Sequence, residues 1–437
     1  MKKNMSLFLI WVGQIVSLFG SGLTGFALGV WLYQQTGSAS NFAIVALCTA
    51  LPHMLLSPLV GVWVDRYNRR WMMALADSGS ALCTLAAAAL FFSGHIQVWH
   101  IYLITLLSSA CGSLQAPAYS ALVATAIPKA QLARANGMIQ LGQGLADILA
   151  PGLAGVLLLV VGVPGVLLID LVTYLVGIGT LLFSRVPAMP PAGKNPAFQP
   201  AGFWAEAGAG LRVLAGDSGL MALLSFQAVF SFLWSIFAVL VTPMVLGFAT
   251  PDQLGFAMVI AGSGLLTGSL VLSAWGGPKR RLTGLLVFEL SSAIAFILMG
   301  LRPNLALVAG AAFFAHFTLA FVSSLNESLW QGQTPGEVQG RVFAFKQAAM
   351  KAATLLAYVT AGVLADRVIN PLLLPDGALA GSLGPLFGVG PGRAIAAMFV
   401  LIGVVKALAA AGLVRSQLAR QVEGKVEKSS GHLVAHG

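Results

Sequence analysis

The sequence predicts an all-α polytopic membrane protein, with 12 transmembrane helices in two pseudo-symmetric six-helix bundles. Three observations predict this fold class: the composition, the number of long apolar runs, and the distribution of Lys and Arg. Hydrophobic residues make up 58% of the 437 residues and charged residues only 9%, whereas soluble proteins carry about 25% charged residues. A chain this apolar cannot be covered with polar surface, and lipid must therefore surround most of it.

Twelve apolar runs reach the length of about 20 residues that a helix needs to cross a bilayer. They must be helical, because backbone in lipid has to satisfy its own hydrogen bonds and no alternating barrel pattern is present. The first run continues to Tyr33, which is too long for a cleaved signal peptide, so we interpret it as a retained span. The predicted spans 1 to 12 are residues 7–33, 41–63, 71–93, 98–125, 133–160, 164–184, 218–246, 254–275, 283–301, 304–330, 338–366 and 392–414.

The basic residues fall mainly on one side of the predicted membrane. With both termini on the same side, that side receives 19 Lys and Arg, the other receives three, and two remain inside spans. The positive-inside rule then places both termini in the cytoplasm, and an odd number of spans would destroy this sorting. The net charge of +10 does not indicate nucleic acid as a partner, because these residues are scattered between apolar runs.

A connection that carries charge and proline divides the chain in two. The predicted parts are an N-terminal six-helix bundle, 1–185, a cytoplasmic linker, 186–217, a C-terminal six-helix bundle, 218–414, and a cytoplasmic tail, 415–437. The halves share a pattern, since Pro128 with its following Arg134 and Gln140 recurs 207 residues later. A duplicated six-helix unit is typical of transporters, whose substrate site lies near the midplane between the halves.

The stretch "GVWVDRYNRR", Gly61 to Arg70, concentrates charge in the loop between spans 2 and 3. Gly61 permits a tight helix end, and Asp65 favours the positive N-terminus of span 3. Arg66, Arg69 and Arg70 suit the anionic inner surface of the membrane. The plain alternative is that this loop only anchors the topology.

The pattern G-x-x-x-D-R-x-x-R-R after the second of twelve spans resembles the signature of the major facilitator superfamily. The segments "GQIVSLFGSGLTGFALGVWLYQQTGSA", "LARANGMIQLGQ", "LWQGQTPGEVQGRVFA" and "AGVLADRVINPLL" resemble its drug:proton antiporter-3 branch, which includes macrolide efflux pumps and siderophore exporters. This resemblance implies the fold of that superfamily and a place in a bacterial inner membrane. It also implies that Asp65 and its arginines latch the cytoplasmic ends of the two halves in the outward-facing state.

Span 5 carries a further resemblance, to the motif found in antiporters of this superfamily. The segment is "ADILAPGLAG", in which Ala146, Ala150, Pro151 and Gly155 form a face of small residues with a proline. Such a face lets the helix pack tightly against a partner helix and bend. Alanine stands at several positions where the motif usually has glycine.

Charge inside hydrocarbon costs free energy, so each ionisable residue of a span is a functional candidate. Asp147 in span 5 is our first choice for a protonatable coupling carboxylate, and a structural carboxyl group is the alternative. The other coupling candidates are Glu327, Lys351, His53 and His316, each with a structural pair, a snorkelling side chain or a packed histidine as its alternative.

By family architecture, spans 1, 4, 7 and 10 line the cavity, spans 2, 5, 8 and 11 flank it, and spans 3, 6, 9 and 12 are peripheral. The last group carries Asp77, Asp170, Glu289 and Lys406, which we therefore interpret as packing or assembly residues.

The presumed substrate cavity is mostly apolar and aromatic, which suits a bulky amphipathic solute better than a sugar or a small anion. Its predicted lining residues are Gln14, Phe26, Trp31, Gln227, Phe230, Trp234, Phe237 and Asn326.

These observations predict a secondary active transporter, with proton-coupled efflux of a hydrophobic or amphipathic small molecule by alternating access. Uptake or facilitated transport by the same fold is the alternative, and a non-transporting scaffold or a membrane enzyme is less favoured. The chain contains no P-loop motif and no zinc-protease or hydrolase motif, so we expect no catalytic residues, no metal and no cofactor. The expected partners are protons, the small-molecule substrate and the lipid bilayer, with the protein acting as a monomer.

Overall fold

The computed structural model describes residues 2–128, 131–184, 210–374, 377–379, 381–382, 384 and 392–415. Most of the predicted linker, nearly all of the predicted tail, and much of the loop before span 12 lie outside these described residues. Within them the secondary structure is helical, as an apolar chain in lipid requires.

The first six spans begin and end close to their predicted limits. Span 2 and span 4 each consist of two consecutive helices. The bounds are Lys2–Thr36 for span 1, Ala39–Leu55 and Ser57–Arg66 for span 2, Arg69–Phe92 for span 3, Val98–Gly112 and Gln115–Ala126 for span 4, Leu132–Val160 for span 5, and Gly162–Phe183 for span 6.

The last six spans follow the same order, and span 11 is longer than predicted because a π-helical segment and one more α-helical turn continue it. The bounds are Ser218–Leu246 for span 7, Pro251–Trp275 for span 8, Arg281–Leu301 for span 9, Leu305–Gln333 for span 10, Gln339–Val363 with Leu364–Ile369 and Asn370–Leu373 for span 11, and Arg393–Arg415 for span 12. In the described residues, eleven helices are long and apolar enough to cross a membrane, and span 2 makes twelve when its bent pair counts as one.

Prolines explain where spans 2 and 4 are interrupted. The two helices of span 2 are bent by 56°, and the break lies at Leu56, just before Ser57 and Pro58. Proline lacks an N–H group and disfavours a helical conformation at the residue before it. Span 4 breaks at Ser113 and Leu114, shortly before its own proline, Pro117.

Side-chain caps fix the beginning of several spans, because the first N–H groups of a helix have no partner within it. Asn68 accepts a hydrogen bond from the backbone N–H of Arg70 at the start of span 3 (3.1 Å). Asp217 and Asn304 cap spans 7 and 10 in the same way. Between spans 5 and 6 the chain turns at Gly162, whose φ of 64° favours glycine.

The helices form two compact units, each with the same packing order. One unit is Met1–Phe198 with Thr250–Val259, and the other is Gln199–Ala249 with Ile260–Gly437. In the first unit span 1 packs against spans 5 and 6, and span 3 packs against spans 4 and 6. In the second, span 7 packs against spans 11 and 12, and span 9 packs against spans 10 and 12. The predicted pair of pseudo-symmetric six-helix bundles is therefore confirmed.

Large apolar side chains cover the outside of the spans. Leu75 and Leu82 on span 3, Leu175 on span 6 and Leu408 on span 12 each expose about two thirds of their surface. In water, apolar exposure on this scale would be unfavourable, whereas in lipid it is the expected surface of a spanning helix.

Candidate functional site

The first unit encloses a cavity of about 640 Å³ lined by spans 1 to 6. Span 1 presents a stripe at helical spacing to this cavity: Gln14, Ser17, Ser21, Thr24 and Leu28. Further hydroxyl groups come from spans 2, 3 and 4, so the wall consists mainly of small and hydroxyl-bearing side chains.

Asp77 on span 3 is one of three carboxyl groups at this cavity. It is 4% exposed, and one of its oxygens accepts a hydrogen bond from Gln14 Nε2 at 3.2 Å. The side-chain oxygen of Gln14 accepts in turn from Gln115 of span 4. Amide groups therefore hold this carboxyl group, with no cationic residue among the described side chains that line the cavity.

Asp170 on span 6 is the second carboxyl group, and it is fully buried. Its Oδ2 accepts from the hydroxyl groups of Thr24 (2.7 Å) and Thr84 (3.2 Å), and its Oδ1 accepts from Thr173 (3.3 Å). Three hydroxyl donors on three different spans thus converge on one acid. Hydrogen bonds of this kind reduce the free energy needed to bury a carboxyl group without a counterion.

Asp147 on span 5 and His53 on span 2 complete the ionisable groups that line the first-unit cavity. Both side chains are exposed, unlike those of Asp77 and Asp170. The described lining thus combines three carboxyl groups and one imidazole with no Lys or Arg, so His53, when protonated, is the one group of this lining that carries positive charge.

The second unit encloses a smaller cavity of about 250 Å³, lined by spans 7, 9, 10, 11 and 12. Its wall is more aromatic, because span 7 contributes Phe226, Phe230 and Trp234. The first two of these rings lie 4.2 Å apart between centroids. Gln227 also lines the cavity, and its Oε1 accepts from Trp330 Nε1 at 2.9 Å.

Glu289 and Lys406 form an ion pair inside the second-unit cavity. The Lys406 Nζ lies 2.9 Å from Glu289 Oε2, and both side chains are almost completely buried. The ammonium group also donates to Ser292 Oγ (3.0 Å) and lies 4.8 Å from the ring centroid of Phe296. A lysine buried in this way needs such partners, because its charge is otherwise strongly disfavoured away from water.

Glu327 at the same cavity also has a lysine partner. Its Oε1 lies 2.5 Å from Nζ of Lys346, which is buried, whereas the Glu327 side chain is about half exposed. The ammonium group of Lys346 also lies 5.3 Å from the Trp330 ring centroid. Each carboxylate that lines the second-unit cavity is therefore paired with a lysine of the same unit.

The acids of the two cavities occupy equivalent places in a local repeat. Arg69, Asp77 and Ser80 on span 3 recur on span 9 as Arg281, Glu289 and Ser292, with the same intervals. In each unit the arginine donates from Nη1 to a backbone carbonyl group of the following span. Arg69 donates to Ala121 (3.4 Å), and Arg281 donates to Ser328 (3.3 Å). The acid and the serine line the cavity of their own unit. The repeat therefore places one acid at each cavity, and only the second is neutralised by a lysine.

A model of the Major Facilitator Superfamily matches residues 10–358, most of the chain. The chain belongs to the major facilitator superfamily. It is therefore a multi-pass membrane transporter of a small molecule and not an enzyme, as the sequence predicted.

Relatives in bacteria extend this comparison over most of the chain. Macrolide efflux protein A of Streptococcus pyogenes is 26% identical over 381 residues, which cover 86% of this chain and 93% of that protein. The multidrug efflux pump Tap of Mycobacterium tuberculosis is 23% identical over 365 residues, covering 82% and 87%. The predicted resemblance to a drug efflux branch of the superfamily is confirmed by these relatives.

Solved structures show the same fold. A bacterial homolog of the human lysosomal transporter Spinster superposes with a TM-score of 0.71 at 14% identity, covering 98% of each chain. The nucleoside transporter NupG superposes with a TM-score of 0.67 at 12% identity, covering 94% of this chain and 100% of that one.

Two arginines of the charged stretch between spans 2 and 3 connect span 3 to spans 4 and 6 through hydrogen bonds. Arg69 Nη1 donates to Thr125 Oγ1 of span 4 at 2.9 Å, and Arg70 Nη2 donates to the Leu182 carbonyl group of span 6 at 2.6 Å. Gly61, Asp65 and Arg66 are exposed at the end of span 2. Two of the arginines thus have partners within the first unit, a role that the topology-anchor interpretation alone does not include.

The small-residue face of span 5 packs against the beginning of span 8, which belongs to the first unit. Gly155 is buried, and a Cβ atom there would lie 2.7 Å from the Pro251 carbonyl oxygen. At Gly255 a Cβ atom would lie 2.5 Å from the Pro151 carbonyl oxygen. Ala146 and Ala150 are buried and, together with Pro151, line the first-unit cavity. The backbones of the two helices approach so closely that only glycine fits at these two positions.

Some of the predicted substrate-cavity residues line a cavity of one unit, and the others pack into the hydrophobic core. Gln14 lines the first-unit cavity, while the residues Gln227, Phe230, Trp234 and Asn326 line the second-unit cavity. Phe26 and Trp31 lie off the span 1 stripe and pack into the core, Trp31 edge-on to Phe91. They do not line the first-unit cavity, because the helical period turns them away from it, and their place in the substrate cavity stays a prediction.

Phe237 is also a core residue and not a lining residue. It is 2% exposed and packs against Phe296 (4.7 Å) and Phe399 (5.3 Å between centroids). The rings of spans 9 and 12 fill the space one helical turn beyond Trp234, which closes the cavity at that point. A packed aromatic cluster of this kind stabilises the unit without contacting a solute.

The remaining coupling candidates have diverse surroundings. His316 Nδ1 lies 2.8 Å from the Ala312 carbonyl oxygen, and its ring packs edge-on to Trp234 at 5.2 Å. Lys351 is exposed and lies outside the lining of the second-unit cavity. His316 thus has the surroundings of a packed histidine, and Glu327 those of a paired carboxylate.

Spans 3, 6, 9 and 12 contribute the residues that sequence reasoning missed. Asp77, Asp170, Glu289 and Lys406 were interpreted as packing or assembly residues, and the structure shows that each of them also lines the cavity of its own unit. Glu289 has Lys406 as its ion-pair partner. A signal was present, since the repeated Arg, acid and Ser on spans 3 and 9 mark Asp77 and Glu289 as equivalent.

Proposed function

We propose that this transporter is a proton-driven exporter of amphipathic small molecules, of the drug, antibiotic or siderophore type, in a bacterial cytoplasmic membrane. The export function and the macrolide or multidrug substrate class are suggested by its relatives, a macrolide efflux protein of Streptococcus and a multidrug efflux pump of Mycobacterium. The protein works as a monomer by alternating access, with both termini in the cytoplasm as its basic loops favour.

The observation that carries the proton coupling is the uncompensated acidity of the first-unit cavity. Asp77 and Asp170 are buried, and their hydrogen-bond partners are amide and hydroxyl groups, which suit both a carboxylate and a neutral carboxyl group. A proton is the smallest cation that neutralises such a group. Asp147 and His53, at the same cavity but exposed, exchange protons between water and the buried pair.

The second-unit cavity has a different role in this proposal. Its carboxylates Glu289 and Glu327 already have lysine partners, so neither needs a proton to be neutralised. With its aromatic wall, this cavity contacts the apolar part of the substrate. The charged loop of Gly61, Asp65 and the following arginines acts as the latch of the transport cycle.

A vesicle assay tests the proposal with erythromycin, a macrolide. Inverted membrane vesicles containing the transporter are energised, and the accumulation of radiolabelled erythromycin is measured with and without a protonophore. We expect erythromycin to accumulate in energised vesicles and this accumulation to collapse when the protonophore is added. In Asp77→Asn and Asp170→Asn we expect accumulation to fall at least about tenfold, which corresponds to about 1.4 kcal/mol of activation free energy. Glu337→Gln, at an exposed position after span 10, is the matched control and keeps full accumulation.

Two outcomes would contradict the proposal. Accumulation that persists in the protonophore means that protons do not drive transport. Accumulation in right-side-out vesicles, and not in inverted ones, means that the transporter is an importer, which was the alternative from the sequence.

A further inference from the structure

We infer that the second-unit cavity contains a subsite for an uncharged hydrogen-bond donor of the substrate, a hydroxyl or an amide N–H next to a ring, and that Asn326 is its acceptor. The inference deepens the proposed function and rests on it, because it assumes that the substrate enters this cavity.

Asn326 has the features of an acceptor without a partner. It lies on span 10, lines the second-unit cavity and is only 7% exposed. Among the described residues its Oδ1 is buried and has no hydrogen-bond partner. A buried acceptor without a partner destabilises the folded protein, because it has lost its hydrogen bond to water and gained none in return. A donor brought by a ligand would remove this penalty.

The charges around Asn326 indicate that the ligand group is uncharged. The ammonium group of Lys406 is held by Glu289 and Ser292, and Glu327 is paired with Lys346. Each of the two carboxylates that line this cavity therefore has a lysine partner, and the one lysine that lines it has a carboxylate. A charged ligand group would therefore lose its hydration without gaining a free counterion.

The aromatic wall and the volume of the cavity limit the shape and the size of the ligand group that carries the donor. Phe226, Phe230 and Trp234 present aromatic faces, on which a flat apolar ring can pack. The volume of about 250 Å³ is below the range of roughly 300–1,000 Å³ of pockets that enclose a whole drug-sized ligand. The subsite therefore takes one flat ring system with its donor, not an entire amphipathic molecule.

A pair of uncharged probes that differ in one donor tests this inference. Binding of 2-naphthol and of 2-methoxynaphthalene to the purified full chain in lipid nanodiscs is measured by equilibrium dialysis, with empty nanodiscs to subtract partitioning. The methoxy compound has nearly the same shape but donates no hydrogen bond. We expect the wild-type protein to prefer 2-naphthol by roughly 5- to 30-fold, the ratio that one or two kcal/mol produces.

Two variants separate the acceptor from a general effect of the cavity wall. In Asn326→Leu, of similar size but without an acceptor, the preference falls below about twofold. Thermal unfolding of this variant without ligand shifts to higher temperature, because the orphaned acceptor is gone. Thr318→Val is the matched control: this hydroxyl lines the same cavity but already donates to the Ala315 carbonyl group (2.9 Å), so the preference persists.

Either of two results would overturn the inference. One is a wild-type protein with less than a twofold preference, which would mean that water alone satisfies Asn326. The other is an Asn326→Leu variant that keeps the preference. Neither result affects the erythromycin assay, which measures gradient-driven export without reference to this subsite, so failure of the inference and failure of the proposed function are distinguishable.

Discussion

The charge of each buried acid depends on the side chain opposite to it. Asp77 and Glu289 occupy equivalent positions in the repeat of spans 3 and 9, yet Asp77 faces the amide of Gln14 whereas Glu289 faces the ammonium group of Lys406. A fixed ammonium partner favours the ionised form of a carboxylate more strongly than an amide partner does. This single difference is the basis for assigning proton coupling to the first unit.

We expect Gln14→Lys to convert the first-unit acid into a permanently paired one. The new ammonium group would lie about as close to Asp77 as Lys406 lies to Glu289, and Asp77 would no longer need a proton. Erythromycin accumulation in energised vesicles should fall at least about tenfold, with the amount of folded protein unchanged. Gln14→Met, which removes the amide without adding charge, is the control and should retain more activity; equal activity in both variants would contradict the argument.

We expect Lys406→Met to destabilise the second unit by about 3–5 kcal/mol, because it leaves the buried Glu289 without its cation. The check is thermal unfolding of purified protein in detergent. The double variant Glu289→Gln with Lys406→Met removes both charges and should recover most of the loss. If the double variant is as unstable as the single one, packing of the Lys406 stem, and not its charge, is what matters.

The spans themselves are held together by close backbone contacts as well as by side chains. Glycine is required where span 5 meets the beginning of span 8, since at Gly155 even a Cβ atom would lie 2.7 Å from a backbone carbonyl oxygen. Backbone cannot move aside as a flexible side chain can, so a larger residue must displace a whole helix. The small-residue face that resembles the antiporter motif is therefore also a packing requirement of this unit.

We expect Gly155→Val to lower the stability of the protein by about 1–3 kcal/mol or more, as over-packing does, and to reduce export. Gly144→Ala on the same span is the matched control, because a Cβ atom there meets nothing within 4 Å. Thermal unfolding and vesicle accumulation are measured for both variants. A Gly155→Val protein as stable as the control would show that span 5 can shift without penalty.

At the scale of the whole molecule, the distribution of basic residues predicts which way the chain crosses the membrane. The three native cysteines, Cys48, Cys83 and Cys111, are free thiols in spans 2 to 4 of the first unit and can be replaced before labelling. A single new cysteine then reports the side on which each segment lies.

We expect Ser429→Cys, in the predicted cytoplasmic tail, to react with a membrane-impermeant maleimide only in inverted vesicles or permeabilised cells. Ser382→Cys, an exposed position in the segment between spans 11 and 12, should react in intact cells. The reverse pattern would mean that the topology is inverted, and with it the proposed direction of export.

The sequence by itself determined the class of the protein and the order and number of its spans. Length and apolar composition are properties of a window of about 20 residues, so no distant contact is needed to identify a spanning helix. Proline and cap residues such as Asn68 are equally local, and they mark where the spans break and begin.

Only the tertiary structure decided which ionisable residues share a cavity. Apart from the polar stripe of span 1 and the small-residue face of span 5, the spans show little one-sided pattern that would reveal how each helix is rotated about its axis. Asp77 and Lys406 were assigned to packing because the family architecture makes spans 3 and 12 peripheral, and Phe237 was assigned to the cavity because the same architecture makes span 7 line it. Glu289 meets Lys406 more than a hundred residues away because spans 9 and 12 pack side by side. That contact depends on the fit of whole helices, which no short segment of sequence contains.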